Sequence, residues 1–198
     1  MFMNRMFIGF LAVAALAAFS FTAPVANKSI NTQLSDVVWK AYKVTGEHTG
    51  HVKLKSGSLQ FDGDRFTGGS FVVDMTSISC TDLQGEWAGK LVGHLKSPDF
   101  FNVAEYPDAT FVITQVISRG TPGSYKVTGN MKIKEHTKAV RFNVQFGEEG
   151  GAMTATADIK LDRTDYDVRY GSGSFFDGLG DKTIYDEFDL QIKLVANK

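Results

Sequence analysis

Four histidines, one cysteine and a run of aspartates are the side chains of this sequence best suited to chemistry. His48 and His51 flank Gly50 on a segment that reads as extended, and with His94 or His136 they would suit a metal held by imidazole nitrogens. Strand side chains three apart point to opposite faces, so sharing one ion needs a bulge there. Ordinary hydrogen-bonded histidines are the favoured reading. Asp158, Asp162, Asp165 and Asp167 invite calcium, but the twelve-residue loop with a central Gly and a terminal Glu is missing. Turn chemistry and salt bridges to Arg163 and Arg169 are expected of them instead. The sequence holds no P-loop, HExxH or G-x-S-x-G, and Gly178-Leu179-Gly180 does not continue into a dinucleotide fingerprint. No catalytic residue, metal site or cofactor is therefore assigned.

The elements that would position any site come next. The chain has 198 residues, 43% of them hydrophobic and 22% charged, with 20 Gly, 4 Pro and 1 Cys, which excludes disordered, collagenous and disulfide-stapled classes. A net charge of −1 gives no basic field for a phosphate backbone, so no nucleic-acid partner is expected. Arg5 precedes an uncharged run from Met6 to Phe21, with small residues and Pro24 behind it. That is the layout of a secretory signal over residues 1–26, cleaved near Ala23 or Ala26. A retained anchor is the alternative, although the run is shorter than the ~20 residues of a spanning helix. After cleavage no stable membrane span is expected, the location is periplasmic or secreted, and residues 27–34 read as disordered. The lone Cys80 is expected to be buried and inert, an intermolecular bridge being the other use of an unpaired exported thiol.

From residue 35 to 198 the chain reads as one domain, and its dominant signal has period two. Tyr125, Val127, Gly129, Met131 and Ile133 alternate with polar residues, as do Val140, Phe142, Val144 and Phe146, so the two segments form a hairpin through Glu135-His136-Thr137. Further strands are expected over Met153 to Leu161, reached through the turn Gly147 to Gly151, and over Ile184 to Leu194. Val37 to Val44, Glu47 to Lys55, Ser58 to Phe61, Arg65 to Asp74 and Ala109 to Ser118 are the earlier candidates. The total is eight or nine antiparallel strands. Leu83, Trp87, Leu91 and Leu95 break the rhythm at helical spacing, weakened by Gly85, Gly89 and Gly93 at about 1 kcal/mol each. Ser97-Pro98 then resembles an N-cap opening a short turn.

Long one-faced strands with a single helical excursion argue for a barrel or sandwich, and a barrel closes its own edges. Eight strands enclose a bore that side chains fill or that holds one small ligand. The 16 Phe are more than a small surface would expose. Trp87, Leu91, Phe100 and Phe101, with Phe111, Phe142, Phe146, Met153 and Phe188, would line a tunnel for an alkyl chain or fill a solid aromatic core. The segment Gly171 to Gly178 reads as a mobile loop carrying Phe175 and Phe176 at the barrel mouth.

The string from Gly89 to Phe111, containing Gly93-His94-Leu95-Lys96-Ser97-Pro98-Asp99-Phe100-Phe101 and Tyr106-Pro107, resembles the YceI-like family of exported bacterial proteins. Phe71-Val72-Val73-Asp74 before Ser77-Ile78, the opening set Trp39, His48, Gly50, Gly57 and Phe61, and Arg163 with Tyr166 fit the same pattern over residues 35–196. Glu135 stands where Gly is common and Gly93 where Asp is often seen. The resemblance implies an extended, eight-stranded, lipocalin-like all-β barrel around a long polyisoprenoid, quinone-like or similar amphiphilic lipid. It shifts the aromatic residues from core to lining and adds Trp39, Phe71, Leu95 and Met131 to the ligand-binding set. Transport, storage and stress protection are the tasks it implies, and a homodimer stays open. Two alternatives remain: an enzyme acting on a lipid head group through His94, Asp99 or Arg163, and a secreted interaction module with a filled core.

Overall fold

The period-two pattern becomes a burial pattern in the computed structural model, which describes residues 25–197. The chain runs β1 (Val25–Ser29), β2 (Asp36–Lys43), β3 (Gly46–His51), β4 (Lys53–Asp62), β5 (Arg65–Asp74), α1 (Gly85–Lys96), β6 (Asp108–Ser118), β7 (Ser124–Ile133), β8 (His136–Glu149), β9 (Ala152–Asp162) and β10 (Ile184–Val195). In β7, Val127, Gly129, Met131 and Ile133 are buried while Lys126, Asn130 and Lys132 are exposed. The β7–β8 hairpin forms, with its turn at Lys134-Glu135 and Ile133 facing His136. Lys134 takes up the left-handed conformation there (φ 55°).

All ten strands belong to one antiparallel sheet in the order β1-β4-β5-β6-β7-β8-β9-β10-β2-β3. The expected eight or nine change in two ways: one boundary moves and one strand is added. β3 and β4 follow one another with only Val52 between them, β3 pairing with β2 and β4 with β5. They act as one long bent strand that carries the sheet round, and the Val52 amide donates to Val37 O at the bend (3.0 Å). The sequence placed a break at Ser56-Gly57; that spot is a bulge inside β4. The added strand is β1. Residues 27–34, expected to be disordered, contribute Asn27, Lys28 and Ser29 to a strand paired with Gln60, Leu59 and Ser58, and Ile30 bridges Ala196. Its side chains are exposed, so the strand rests on backbone hydrogen bonds and leaves no apolar signature.

The signal-peptide reading of residues 1–26 falls outside the described residues up to position 24. Cleavage after Ala23 would leave β1 whole, and cleavage after Ala26 would remove two of its five residues. Among the described residues no helix is long and apolar enough to cross a membrane.

Three smaller expectations change. β8 continues to Glu149, so only Gly150-Gly151 turns, both with positive φ. Ser97 closes α1 instead of opening a helix: its amide and hydroxyl both donate to His94 O, and Pro98 follows because it cannot continue the helix. Cys80 is half-buried, its thiol donating to Asp82 Oδ1 (3.2 Å).

The barrel has two unlike ends. At one, Phe61, Phe66, Tyr125 and Phe146 pack ring against ring, with centroids 4.9–5.9 Å apart. At the other lie α1, the irregular run to Pro107 and the β9–β10 connection. Gly50 is required where the segment leading from β5 to α1 crosses β3, since a Cβ there would run into Ser79 O and the Trp39 ring.

Candidate functional site

The inward side chains of the barrel do not meet in the middle. They leave a cavity of about 180 Å³. Its wall takes residues from β2 and from each of β4 to β10, because each of these strands sends alternate residues inward. Phe66 and Leu59 lie toward the aromatic floor; Leu95, Phe100, Phe101, Arg163, Ile184 and Tyr185 lie toward the other end. Tyr185 is 52% exposed, which locates the opening. The wall is almost wholly hydrocarbon, so what it offers a ligand is burial, about 0.8 kcal/mol for each methylene taken from water.

Nine of the thirteen residues assigned to ligand binding from sequence line this space: Trp39, Phe71, Leu95, Phe100, Phe101, Phe111, Met131, Phe142 and Phe188. Trp39 is held by its indole N–H, which donates to Ser79 O (3.1 Å). Phe111 is set by β7: Gly129 leaves the room in which its ring lies.

Trp87, Leu91, Phe146 and Met153 do not reach the cavity. Trp87 is 70% exposed, with Lys90 Nζ 4.9 Å from its ring centre, and Leu91 is half-buried beside it on a helix that has no buried residue. The helical stripe is real, but it is only partly covered: Leu83, Leu91 and Leu95 are half-buried and Trp87 is exposed. Phe146 is spent in the aromatic floor against Phe61, Phe66 and Tyr125, beyond the end of the empty space. Met153 is packed on the core near the start of β9.

Arg163 is the cavity's one charged wall residue among the described residues. It is 5% exposed. Its Nε donates to Tyr185 O, Nη1 to Val168 O and Nη2 to Ile184 O, with an ion pair from Nη2 to Asp186 Oδ1 (3.2 Å). Burial pushes the guanidinium down from its ordinary value, opposed by Asp186 and Asp162. These contacts correct the expectation that it would serve the aspartate cluster. Asp162 instead caps the turn Arg163–Tyr166 by accepting from Thr164, Asp165 pairs with Lys138, and Arg169 pairs with Asp167. Burial also pushes the Tyr166 hydroxyl up to about 12.

The two other polar candidates stand outside the cavity wall. His94 Nε2 is 3.5 Å from Asp99 Oδ2, and its ring meets Phe100 and Tyr170 edge-on with centroids 4.8 and 4.5 Å apart. His48 and His51 are each engaged by a different carboxylate, Asp82 at 2.8 Å and Asp36 at 2.7 Å. Among the described residues no cluster of three His, Cys, Asp or Glu is arranged to hold a metal ion.

The loop of Phe175 and Phe176 borders the opening, but its root is fixed. Ser172 is fully buried, its carbonyl accepts from the Phe175 and Phe176 amides, and Ile184 N donates to Gly171 O (2.8 Å). Both phenyl rings face solvent, about half exposed, with the Arg169 guanidinium 4.6 Å from that of Phe175.

Known proteins resemble this architecture along most of its length. A UPF0312 protein of Vibrio parahaemolyticus is 27% identical over 164 residues, covering 77% of this chain and 78% of its own. One from Vibrio cholerae is 26% identical over 178 residues, covering 83% and 90%. The crystal structure of Burkholderia cenocepacia BcnA superposes with a TM-score of 0.69 at 22% identity, over 85% of this chain and 99% of that one. A polyisoprenoid-binding domain from Saccharophagus degradans gives a TM-score of 0.61 at 12% identity, over 88% and 99%. At these identities the structural likeness concerns the fold. The sequence of residues 28–196 matches the YceI-like domain as a whole, and the chain belongs to that family.

Proposed function

We propose that this protein is a non-catalytic periplasmic carrier or store that holds a long-chain isoprenoid or similar amphiphilic lipid in its barrel. The observation that carries this reading is the cavity: a space inside the sheet, open beside Tyr185, with a hydrocarbon wall and one buried cation. A domain packed solely for stability would close such a space, since each unfilled volume forfeits dispersion contacts. The likeness to the Saccharophagus degradans domain, described as binding polyisoprenoids, supports the same class of ligand.

The volume adds a constraint. About 180 Å³ is little more than the ~150 Å³ of an engineered cavity that takes benzene, and less than the ~300 Å³ at which pockets for larger ligands begin. A long chain therefore enters only if the half-buried wall residues Phe101, Phe142, Phe188, Leu190 and Ile192 part. These side chains are the movable ones, because they are not clamped in the fully buried core. The test is to purify the protein from its native host, extract it with organic solvent and weigh what is released by mass spectrometry. One long-chain lipid per protein is expected. Finding no stoichiometric lipid, together with no uptake of quinones or polyprenols in a fluorescence titration, would overturn the carrier reading in favour of a filled core.

A further inference from the structure

Arg163 has five N–H groups, and four are spoken for: one on Nε by Tyr185 O, one on Nη1 by Val168 O, and two on Nη2 by Ile184 O and Asp186 Oδ1. The second N–H of Nη1 has no acceptor among the described residues, on a side chain that is 5% exposed and forms part of the cavity wall. The charge of the guanidinium is already matched. Asp186 lies 3.2 Å away and is itself held, its other oxygen accepting from Ser174 Oγ at 2.6 Å. Phe100, whose ring centre is 5.9 Å from the guanidinium carbon, covers it from the side of α1.

Resting on the reading of the cavity as a lipid site, we infer that its ligand carries an uncharged oxygen acceptor, such as a ketone, a quinone carbonyl or an alcohol. That oxygen docks on the free Nη1 N–H of Arg163, and anionic head groups are selected against. The reasoning is electrostatic. A neutral acceptor completes the hydrogen bonding of a buried cation and brings no charge with it. A carboxylate or phosphate would bring a second anion beside Asp186, leaving two negative groups to share one cation in an apolar wall, with the desolvation of the newcomer unrepaid. An unsubstituted hydrocarbon would leave the N–H without a partner. One donor beside the opening also fixes the direction of the ligand, with its head by Arg163 and its tail toward Phe66.

The discriminating experiment uses the delipidated protein and three probes with one tail: hexadecane, 2-hexadecanone and hexadecanoate at pH 8. Each is titrated below its solubility limit, or for the carboxylate below its micellar concentration, as a competitor of a bound fluorescent lipid. The ketone is expected to bind at least about tenfold more tightly than the alkane and than the carboxylate. Asp186→Asn keeps the shape of its side chain and removes the neutralising charge, so it should raise hexadecanoate affinity by about tenfold and leave hexadecane unchanged. If the wild-type protein binds hexadecanoate as well as it binds the ketone, or if Asp186→Asn folds without favouring the carboxylate, the head-group inference falls while the lipid site stands. If the fluorescent lipid binds and none of the three displaces it, the head-group inference falls alone; if the delipidated protein takes up no fluorescent lipid at all, both fall. Should the variant not fold, nitrogen-15 shifts of the Arg163 guanidinium decide: the ketone moves them and hexadecane does not, and equal responses overturn the inference.

Discussion

The two ends of the barrel use aromatic residues in opposite ways. At the floor, Phe61, Phe66, Tyr125 and Phe146 pack edge to face and turn their area into cohesion. At the opening, Trp87, Tyr170, Phe175, Phe176 and Tyr185 are all about half exposed or more, and among the described residues every aromatic side chain found exposed among the large hydrophobics belongs to this end. The same residue type thus stabilises one end and stays available at the other. Rings buried against rings make a stopper, whereas rings left in water beside a hydrocarbon cavity make a rim that a lipid can cross. Stability and function are separated along the barrel axis.

The largest effect should come from the floor. Phe66 is 3% exposed and touches three other rings, so Phe66→Ala is expected to cost about 3–5 kcal/mol in urea unfolding. Phe176→Ala, at the rim, should stay within about 0.5 kcal/mol. Comparable losses at the two sites would erase the distinction between stopper and rim.

Between them sits the wall. At Gly129 a Cβ would strike the Phe111 ring and lie 2.7 Å from Val112 O. Gly129→Ala should therefore cost about 1–3 kcal/mol and push the Phe111 ring into the cavity. A drop in lipid uptake larger than the loss of stability explains is the expected readout. Unchanged uptake would mean that the ligand does not pass Phe111.

These three substitutions also mark how far the sequence could be read. Alternation in β7 and β8 assigned faces correctly, and with them most of the cavity wall, because a strand's period is fixed by backbone geometry. Depth along the axis has no such signature. Phe146 and Phe142 share a face of β8, yet one closes the floor and the other lines the cavity. Trp87 and Leu91 failed for a different reason: helical spacing shows that a stripe is apolar without showing that anything covers it. β1 was invisible because its contribution is backbone pairing with polar side chains outward. Arg163 was legible as a polar candidate, but its partner Asp186 lies 23 residues away, and only the return of β10 beside β9 brings them together.

A third, smaller test concerns the segment that crosses β3. Partial burial raises the Asp82 carboxyl, but hydrogen bonds from Thr49 N, His48 and Cys80 outweigh it and hold it at about 2. A folded-state value below the unfolded one means that the carboxylate stabilises the fold above about pH 4 and that this contribution is lost as pH falls toward 2. Asp82→Asn should flatten that part of the acid-unfolding curve. Since the site is partly exposed, the difference from wild type will be modest. An acid limb identical in the two proteins would move the responsible carboxylate elsewhere. The Cys80 thiol beside it, pushed up chiefly by burial, should alkylate slowly at neutral pH.

The smallest effect sharpens the comparison most. α1 has no buried residue and carries Gly85, Gly89 and Gly93, and a Cβ at Gly89 or Gly93 would meet nothing within 4 Å. A 12-residue helix of this composition is marginal by itself, so it is held through the few contacts around Leu95, His94 and Ser97 at its C-terminal end. Its amides should exchange with solvent far faster than those of β7, and Gly89→Ala should slow them, adding up to about 1 kcal/mol to helix stability. If α1 must loosen for a lipid to pass the rim, the same substitution should slow lipid uptake while the affinity at equilibrium hardly changes. Uptake at the wild-type rate with α1 measurably more protected would show that the lipid enters past the Phe175–Phe176 side of the opening and that the helix is not part of the gate.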